Sequence, residues 1–211
     1  MDQPHHHAAT VGVTAFYCPL TPSGGLRFDY ETEATPLVQS SDYGRSGTPR
    51  EMDWTQVQHL QRGWVSARVP AHFHLRKSET RRERLQVVND KGKLSVVNGL
   101  GATMKSLWLA DASGKIYQAV NIAAGQKSEL LPSVQSQVSE RKGASSLLQD
   151  IGFTAQPDSL KENVGKYLEP GTYIAELEGN PFIENALNSS SPKRTRINGI
   201  VFGILDSPVT P

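Results

Sequence analysis

His72 and His74 are the residues of this 211-residue chain whose spacing most directly offers chemistry. On a strand, residues two apart point to the same face, so the two imidazoles could serve as a pair of metal ligands. A working site needs at least a third ligand and, for catalysis, an open position. The other histidines are His59 and the triplet His5–His7, and Asp29, Glu31 and Glu33 are further donors whose place the sequence does not fix. The expected reading is a pair of surface histidines on a polar face. A metal-dependent enzyme built on His72 and His74 is the alternative, and no metal or cofactor is expected. The His5–His7 triplet, native or added, is given no functional weight.

The second candidate is the run His-Leu-Arg-Lys-Ser-Glu-Thr-Arg-Arg-Glu-Arg-Leu, residues 74–85. Arg76, Lys77, Arg81, Arg82 and Arg84 could hold phosphates through charge-assisted hydrogen bonds. Glu79 and Glu83 interrupt them, however, and no aromatic side chain lies among them to stack on bases. The run is expected to be a solvated connector, or an edge whose charges block unwanted strand pairing. A surface contact with protein or lipid headgroups is the weaker reading, and nucleic acid is not an expected partner.

Other chemistry-bearing residues read as structural. Cys18 matches no nucleophile signature and suits a small buried position in a strand. Asp111 opens Asp-Ala-Ser-Gly, ordinary turn chemistry. Glu176 and Glu178 alternate with Ala175 and Leu177 in the manner of a solvent face, and Glu184 is a further carboxylate that could pair with them. Trp54, Trp64 and Trp108 could form a sugar platform, which makes a glycan-binding module a further alternative. Without regular spacing they read as core anchors. Gly99-Leu-Gly101 joins strands and opens no helix, so it is not a phosphate loop. No catalytic set and no small-molecule substrate emerge, and the chain is expected not to be an enzyme.

The elements that must position these residues are mostly strands. Thr10–Leu20 is β-branched and aromatic and ends at Thr-Pro-Ser-Gly-Gly. Residues 29–53 read as a long loop with a short strand near Thr35–Val38, and a short helix is expected at Met52–Gln61. Trp64–Leu75 alternates, with Phe73 and Leu75 on one side and His72 and His74 on the other. Leu85–Asn89 and Leu94–Asn98 flank a hairpin turn, as do Met104–Ala110 and Lys115–Ile122, and Lys127–Leu131 adds a strand. Helical spacing follows: an insertion over about 133–169 is expected, its second helix opened by the capping box Ser159–Glu162 and stopped at Pro170-Gly171. Thr172–Glu178 returns to strand. Ile197–Leu205 is continuously apolar and is expected in the middle of a sheet. The whole is expected to be a single domain, residues 1–211, mainly β, an antiparallel sandwich.

Composition agrees. Hydrophobic residues make up 37% of the chain, with 18 Gly and 13 Pro, which favours short strands joined by turns. The formal charge is +1, with a moderately basic middle between mildly acidic ends, less than a dedicated nucleic-acid binder shows. The single cysteine excludes an internal disulfide. The start lacks a basic, apolar leader, and no apolar run approaches the length that spans a bilayer.

The segment Val96-Val-Asn-Gly-Leu-Gly-Ala-Thr-Met-Lys-Ser-Leu-Trp-Leu-Ala-Asp-Ala-Ser-Gly-Lys-Ile-Tyr, with Ile122-Ala-Ala-Gly125, resembles a pattern in extracytoplasmic domains of large bacterial membrane proteins. There a V-x-N strand start precedes a hairpin with D-x-x-G-x-x-Y, and a Gly turn closes the unit. Gly171-Thr-Tyr-Ile-Ala-Glu-Leu-Glu-Gly-Asn-Pro-Phe182 is similar to a second element of those proteins. The likeness covers about a third of the chain. It implies an immunoglobulin-like sandwich on the periplasmic side of a membrane, attached to a membrane protein or complex. A non-catalytic interaction or scaffold module with a protein partner is the function expected, and a cytoplasmic location is the alternative.

Overall fold

A computed structural model describes residues 1–37, 49–90, 92–133, 163–187 and 197–207. Its contacts divide the chain into two compact units, where the sequence pattern reads as one domain. One unit comprises Met1–His7, Thr80–Pro181 and Arg196–Pro211; the other comprises Ala8–Glu79 and Phe182–Thr195. The architecture is mainly β, with all the principal strand pairs antiparallel.

In the unit formed by Ala8–Glu79 and Phe182–Thr195, six strands make two three-stranded sheets. β1 (His7–Phe16), β6 (Ala71–Thr80) and β3 (Thr32–Pro36) lie in that order in one; β2 (Leu26–Phe28), β5 (Gln58–Arg62) and β4 (Glu51–Asp53) form the other. The core gathers Leu26, Phe28, Ala34, Leu60, Val65, Phe73, Leu75 and Ala186. Phe16 meets Phe73 edge-on at 5.9 Å and Phe28 at 6.5 Å between ring centres. Such edge-to-face contacts are favourable beyond the apolar area they bury. Gln58 is buried because its amide imitates a strand neighbour: Oε1 accepts from Ala34 N at 2.8 Å, and Nε2 donates to Ala34 O at 3.1 Å.

The helix expected over Met52–Gln61 is absent, and β4 and β5 form an antiparallel pair there instead. Gln58 and Leu60 alternate with the half-exposed His59, a period of two, while Met52 is exposed. The Trp64 indole then donates to Glu51 O at 2.8 Å and ties the far ends of the hairpin together. The strand expected from Trp64 begins only at Ala71, because Gly63 and Arg68 take left-handed conformations and Pro70 follows.

The other unit holds a three-stranded sheet, β11 (Lys127–Glu129), β8 (Lys93–Gly99) and β7 (Arg84–Asp90), and a five-stranded sheet. The larger runs β12 (Leu131–Pro132), β10 (Ile116–Ile122), β9 (Thr103–Ala110), β13 (Thr172–Glu178) and β14 (Asn198–Ile204). The expected hairpins are found: Asn89 pairs with Leu94 across β7 and β8, and Ala110 with Ile116 across β9 and β10. The strand expected at Lys127–Leu131 is shared between β11 and β12, which join different sheets.

β9 and β13, buried on both faces, are the centre of the large sheet. The continuously apolar β14 is instead its outer strand among the described residues, flanked there by a parallel bridge from Asp2 to Ile204 and by the bond that the Met1 ammonium donates to Phe202 O. Its exposure alternates as an outer strand's does, with Val201 buried and Ile204 exposed. Residues 163–167 are helical, and Val164, Tyr167 and Leu168 close over Trp108, Ala110, Ile116 and Ile174. The remainder of the expected helical insertion, including the capping box, lies outside the described residues.

The motif residues have structural duties. Asn98 is fully buried; its amide nitrogen donates to Ala102 O and Ile122 O, and its oxygen accepts from Leu100 N. Asp111, also fully buried, accepts from Ser113 N, Ser113 Oγ and Lys115 N through one oxygen and so shapes the hairpin turn. Gly114 and Gly125 sit at φ 84° and 77°, where a side chain would be strained.

Candidate functional site

β6 alternates Phe73, Leu75 and Lys77 on its buried side. The lysine thus arrives on the core face by strict period two, at a position where an apolar residue would be the default. Its side chain is only 6% exposed and is held by three carboxylates: Asp29 at 3.0 Å, Glu79 at 3.4 Å and Glu184 at 3.4 Å. Burial alone would depress the ammonium's pKa, but the bond to Asp29 and the charges of Glu184 and Glu79 outweigh it, so the net shift is upward. Burial likewise pushes Glu184 up, and is outweighed by the Asp29 N–H that it accepts at 2.8 Å and by Lys77, leaving it below the usual carboxylate range. The cluster is a polar pin that fixes residues 29 and 184 against β6.

The five cations of the basic run therefore do not form one grip. Lys77 is buried, which corrects the expectation of a solvated side chain there, and Arg76 is exposed opposite Glu33 on β3. Arg76 and Lys77 belong to one unit, whereas Arg81, Arg82 and Arg84 belong to the other. Arg81 bonds Glu83 at 2.9 Å and Arg84 lies 3.6 Å from Asp206, while Arg82 is exposed. Burial would raise Glu83, but hydrogen bonds from the backbone and from Arg81 prevail and lower it. β6 runs on to Thr80, so the connector is only residues 81–83.

His72 and His74 do share the outward side of β6, both partly covered, with Thr35 opposite His74. Among the described residues no group of three His, Cys, Asp or Glu is placed to hold a metal ion. The tryptophans part company: Trp108 is buried in one unit, whereas Trp64, under the Arg50 guanidinium at 5.3 Å, and the exposed Trp54 belong to the other. Cys18 is half-buried beside the Phe16 cluster. Glu176 lies 3.8 Å from Lys105, Glu178 is exposed, and Glu184 belongs to the lysine cluster. A shallow open depression of about 250 Å³, lined by Asp90, Lys93, Lys127 and Glu129, lies across β8 and β11 and converges on nothing reactive.

The unusual surface is on β1, which the search for reactive side chains passes over. Its outward residues are Ala9, Val11, Val13 and Ala15, with Val11 53% and Val13 45% exposed. Its other side carries Thr10, Gly12, Thr14 and Phe16, all half-covered. Polarity is inverted relative to an ordinary strand: the apolar side chains face out and the threonines face in. Among the described residues β1 lies at the end of its sheet, and Ala8 to Phe16 contain no charged residue and no proline. Natural edge strands usually carry such residues to prevent pairing with other chains.

Fold and surface together define a mainly β protein of antiparallel sheets in which, among the described residues, one outer strand turns apolar side chains to the surface. Comparison of the chain with protein-family models, with curated proteins and with solved structures finds no match in any of the three.

Proposed function

We propose that this chain is a non-catalytic interaction module. In this reading it is an immunoglobulin-like β-sandwich presented outside the cytoplasm as part of a membrane-associated bacterial protein or complex, and it engages a protein partner through the outward side of β1. The observation that carries the reading is the exposure of Val11 and Val13 on an uncharged edge strand. Exposed apolar edges offer both main-chain bonding groups and a surface whose burial drives association. The Val96–Gly125 resemblance supports the setting, and its residues Asn98 and Asp111 serve as backbone organisers, as a scaffold requires.

The test is photocrosslinking in the cells that make the protein, with a photoreactive side chain at position 13 and a control at the exposed, polar position 76. A discrete adduct with a second polypeptide from position 13 alone, recovered with membranes and accessible from the outer side, is the expected result. No adduct, or equal adducts from both positions, refutes the interaction surface. Adducts formed only on the cytoplasmic side refute the setting.

A further inference from the structure

The outward edge of β1 is self-complementary, and we infer that its partner is a second copy of this chain, paired antiparallel about Gly12. This deepens, and rests on, the reading of β1 as an interaction surface. The sequence from residue 9 to residue 15 is Ala-Thr-Val-Gly-Val-Thr-Ala, which reads the same in both directions. When two copies of a strand pair antiparallel about a two-fold axis through Gly12, residue 12 − k of one copy lies opposite residue 12 + k of the other. The palindrome then sets like against like: Ala9 against Ala15, Thr10 against Thr14, Val11 against Val13, and Gly12 against Gly12. Opposed β-branched pairs are among the favourable cross-strand combinations, and no like charges meet anywhere in the register.

Three features of the fold fit this arrangement. β1 is the terminal strand of its sheet among the described residues, with β6 its single strand neighbour there, so one row of main-chain groups points away from the sheet. The outward side chains are the apolar ones, so pairing brings four valines, two from each copy, into one patch at the seam. Within this sheet the outward apolar side chains are those of β1, since among the described residues the outward side of β6 carries His72, His74, Arg76 and Ser78 and that of β3 carries Glu33 and Thr35. The register is also closed. A two-fold contact uses the same patch on both copies and stops at two, whereas a strand without such symmetry could continue into open chains. Gly12 at the axis is not demanded by its own surroundings, because a Cβ there would meet only Ile183 Cδ1 at an ordinary 3.6 Å.

The experiment is sedimentation equilibrium of the purified full chain across a wide concentration range, with wild type compared with Val11→Lys/Val13→Lys. The wild type is expected to approach twice 23.1 kDa as concentration rises. The double variant, which sets lysines opposite each other, is expected to weaken the dimer at least tenfold while keeping its circular-dichroism spectrum and melting temperature. Register is read by disulfide trapping in a Cys18→Ala background. Mixed Val11→Cys and Val13→Cys chains should crosslink on oxidation, whereas either variant alone should not. A wild type that stays monomeric, forms open-ended polymers, dimerises regardless of the lysines, or crosslinks through Val11→Cys alone overturns the inference. A monomer that still gives the position-13 adduct with a different polypeptide removes self-pairing and leaves the interaction module standing; loss of both removes both.

Discussion

Replacing Lys77 by Met removes the ammonium that Asp29, Glu79 and Glu184 share while keeping most of the side-chain volume. Glu184 is 19% exposed at its side chain, so it loses the lysine's charge in a place that water reaches poorly. Removing one partner of a buried ion pair costs about 3–5 kcal/mol, because the remaining charge is stranded. Asp29 is 54% exposed, which puts the cluster at the rim of the core and its own share within the weak range of surface pairs. The lower end, about 3 kcal/mol, is therefore expected. In a unit of about 86 residues, the size of the one that holds Lys77, that corresponds to a fall in melting temperature of roughly 12 °C or more. The pH dependence is diagnostic. In the wild type Glu184 titrates below its ordinary value, so its stabilisation is present above the unfolded pKa and is lost as pH falls through the folded one. Lys77, shifted upward, stabilises below its ordinary pKa and loses that contribution as pH rises through the folded value. In Lys77→Met, Glu184 keeps its burial and loses the lysine's charge, which moves its pKa upward, so the variant's melting temperature should fall less steeply than the wild type's on acidification toward the carboxylate range. Differential scanning calorimetry at several pH values measures both. A variant that melts with the wild type, or whose pH profile runs parallel to it, would show that the cluster does not pin the fold.

Asn98→Ala strands Leu100 N, Ala102 O and Ile122 O, all previously served by one amide. A loss of about 1–3 kcal/mol in urea unfolding is expected, with faster amide exchange at Leu100, and unchanged exchange there would contradict the role given to Asn98. Gly203→Ala should be as damaging, because its Cβ would overlap the Tyr173 ring that lies across it in the paired strands, and a clash of that kind costs about 1–3 kcal/mol. Tyr173→Leu in the same background should recover part of the loss, and no recovery would place the cost elsewhere. Zinc titrated into protein whose His5–His7 triplet has been replaced is expected to show no stoichiometric binding, since His72 and His74 lack a third ligand among the described residues. One equivalent bound, and lost on His72→Ala, would favour the metal-enzyme alternative over this reading.

The parts of the fold legible in the sequence are those determined within a few residues of one another. The β7–β8 and β9–β10 hairpins carry their turn chemistry locally: Asn89 accepts from Gly92 N, and Asp111 gathers Ser113 and Lys115. The lysine cluster was invisible because its partners are far away in the chain; Lys77 reaches Asp29 across 48 residues and Glu184 across 107. A cation inside a run of arginines looks solvated until strand parity places it under the sheet. The helix expected at Met52–Gln61 failed because apolar residues at 52, 57 and 60 satisfy a helical face by spacing alone, whereas Gln58, buried by its bonds to Ala34, is a polar residue that periodicity discounts. The division into two units was illegible for a related reason, since hydrophobic pattern fixes which face of a strand is buried but not which sheet the strand joins.

β1 shows the same limit with a functional consequence. By alternation alone, Val11 and Val13 should point inward and Thr10 and Thr14 outward. Phe16, on the threonines' parity, decides otherwise, because its ring fits edge-on against Phe28 and Phe73, and a strand cannot turn one residue in without turning every second one with it. One aromatic anchor thus outweighs two valines for the interior and sends them to the surface of a strand that itself carries no charge from Ala8 to Phe16. A sequence optimised only for the isolated sheet would place valine at 10 and 14 and threonine at 11 and 13. That the chain has the reverse, arranged symmetrically about a glycine, is intelligible when the outer side of β1 is itself an interior, completed by another polypeptide.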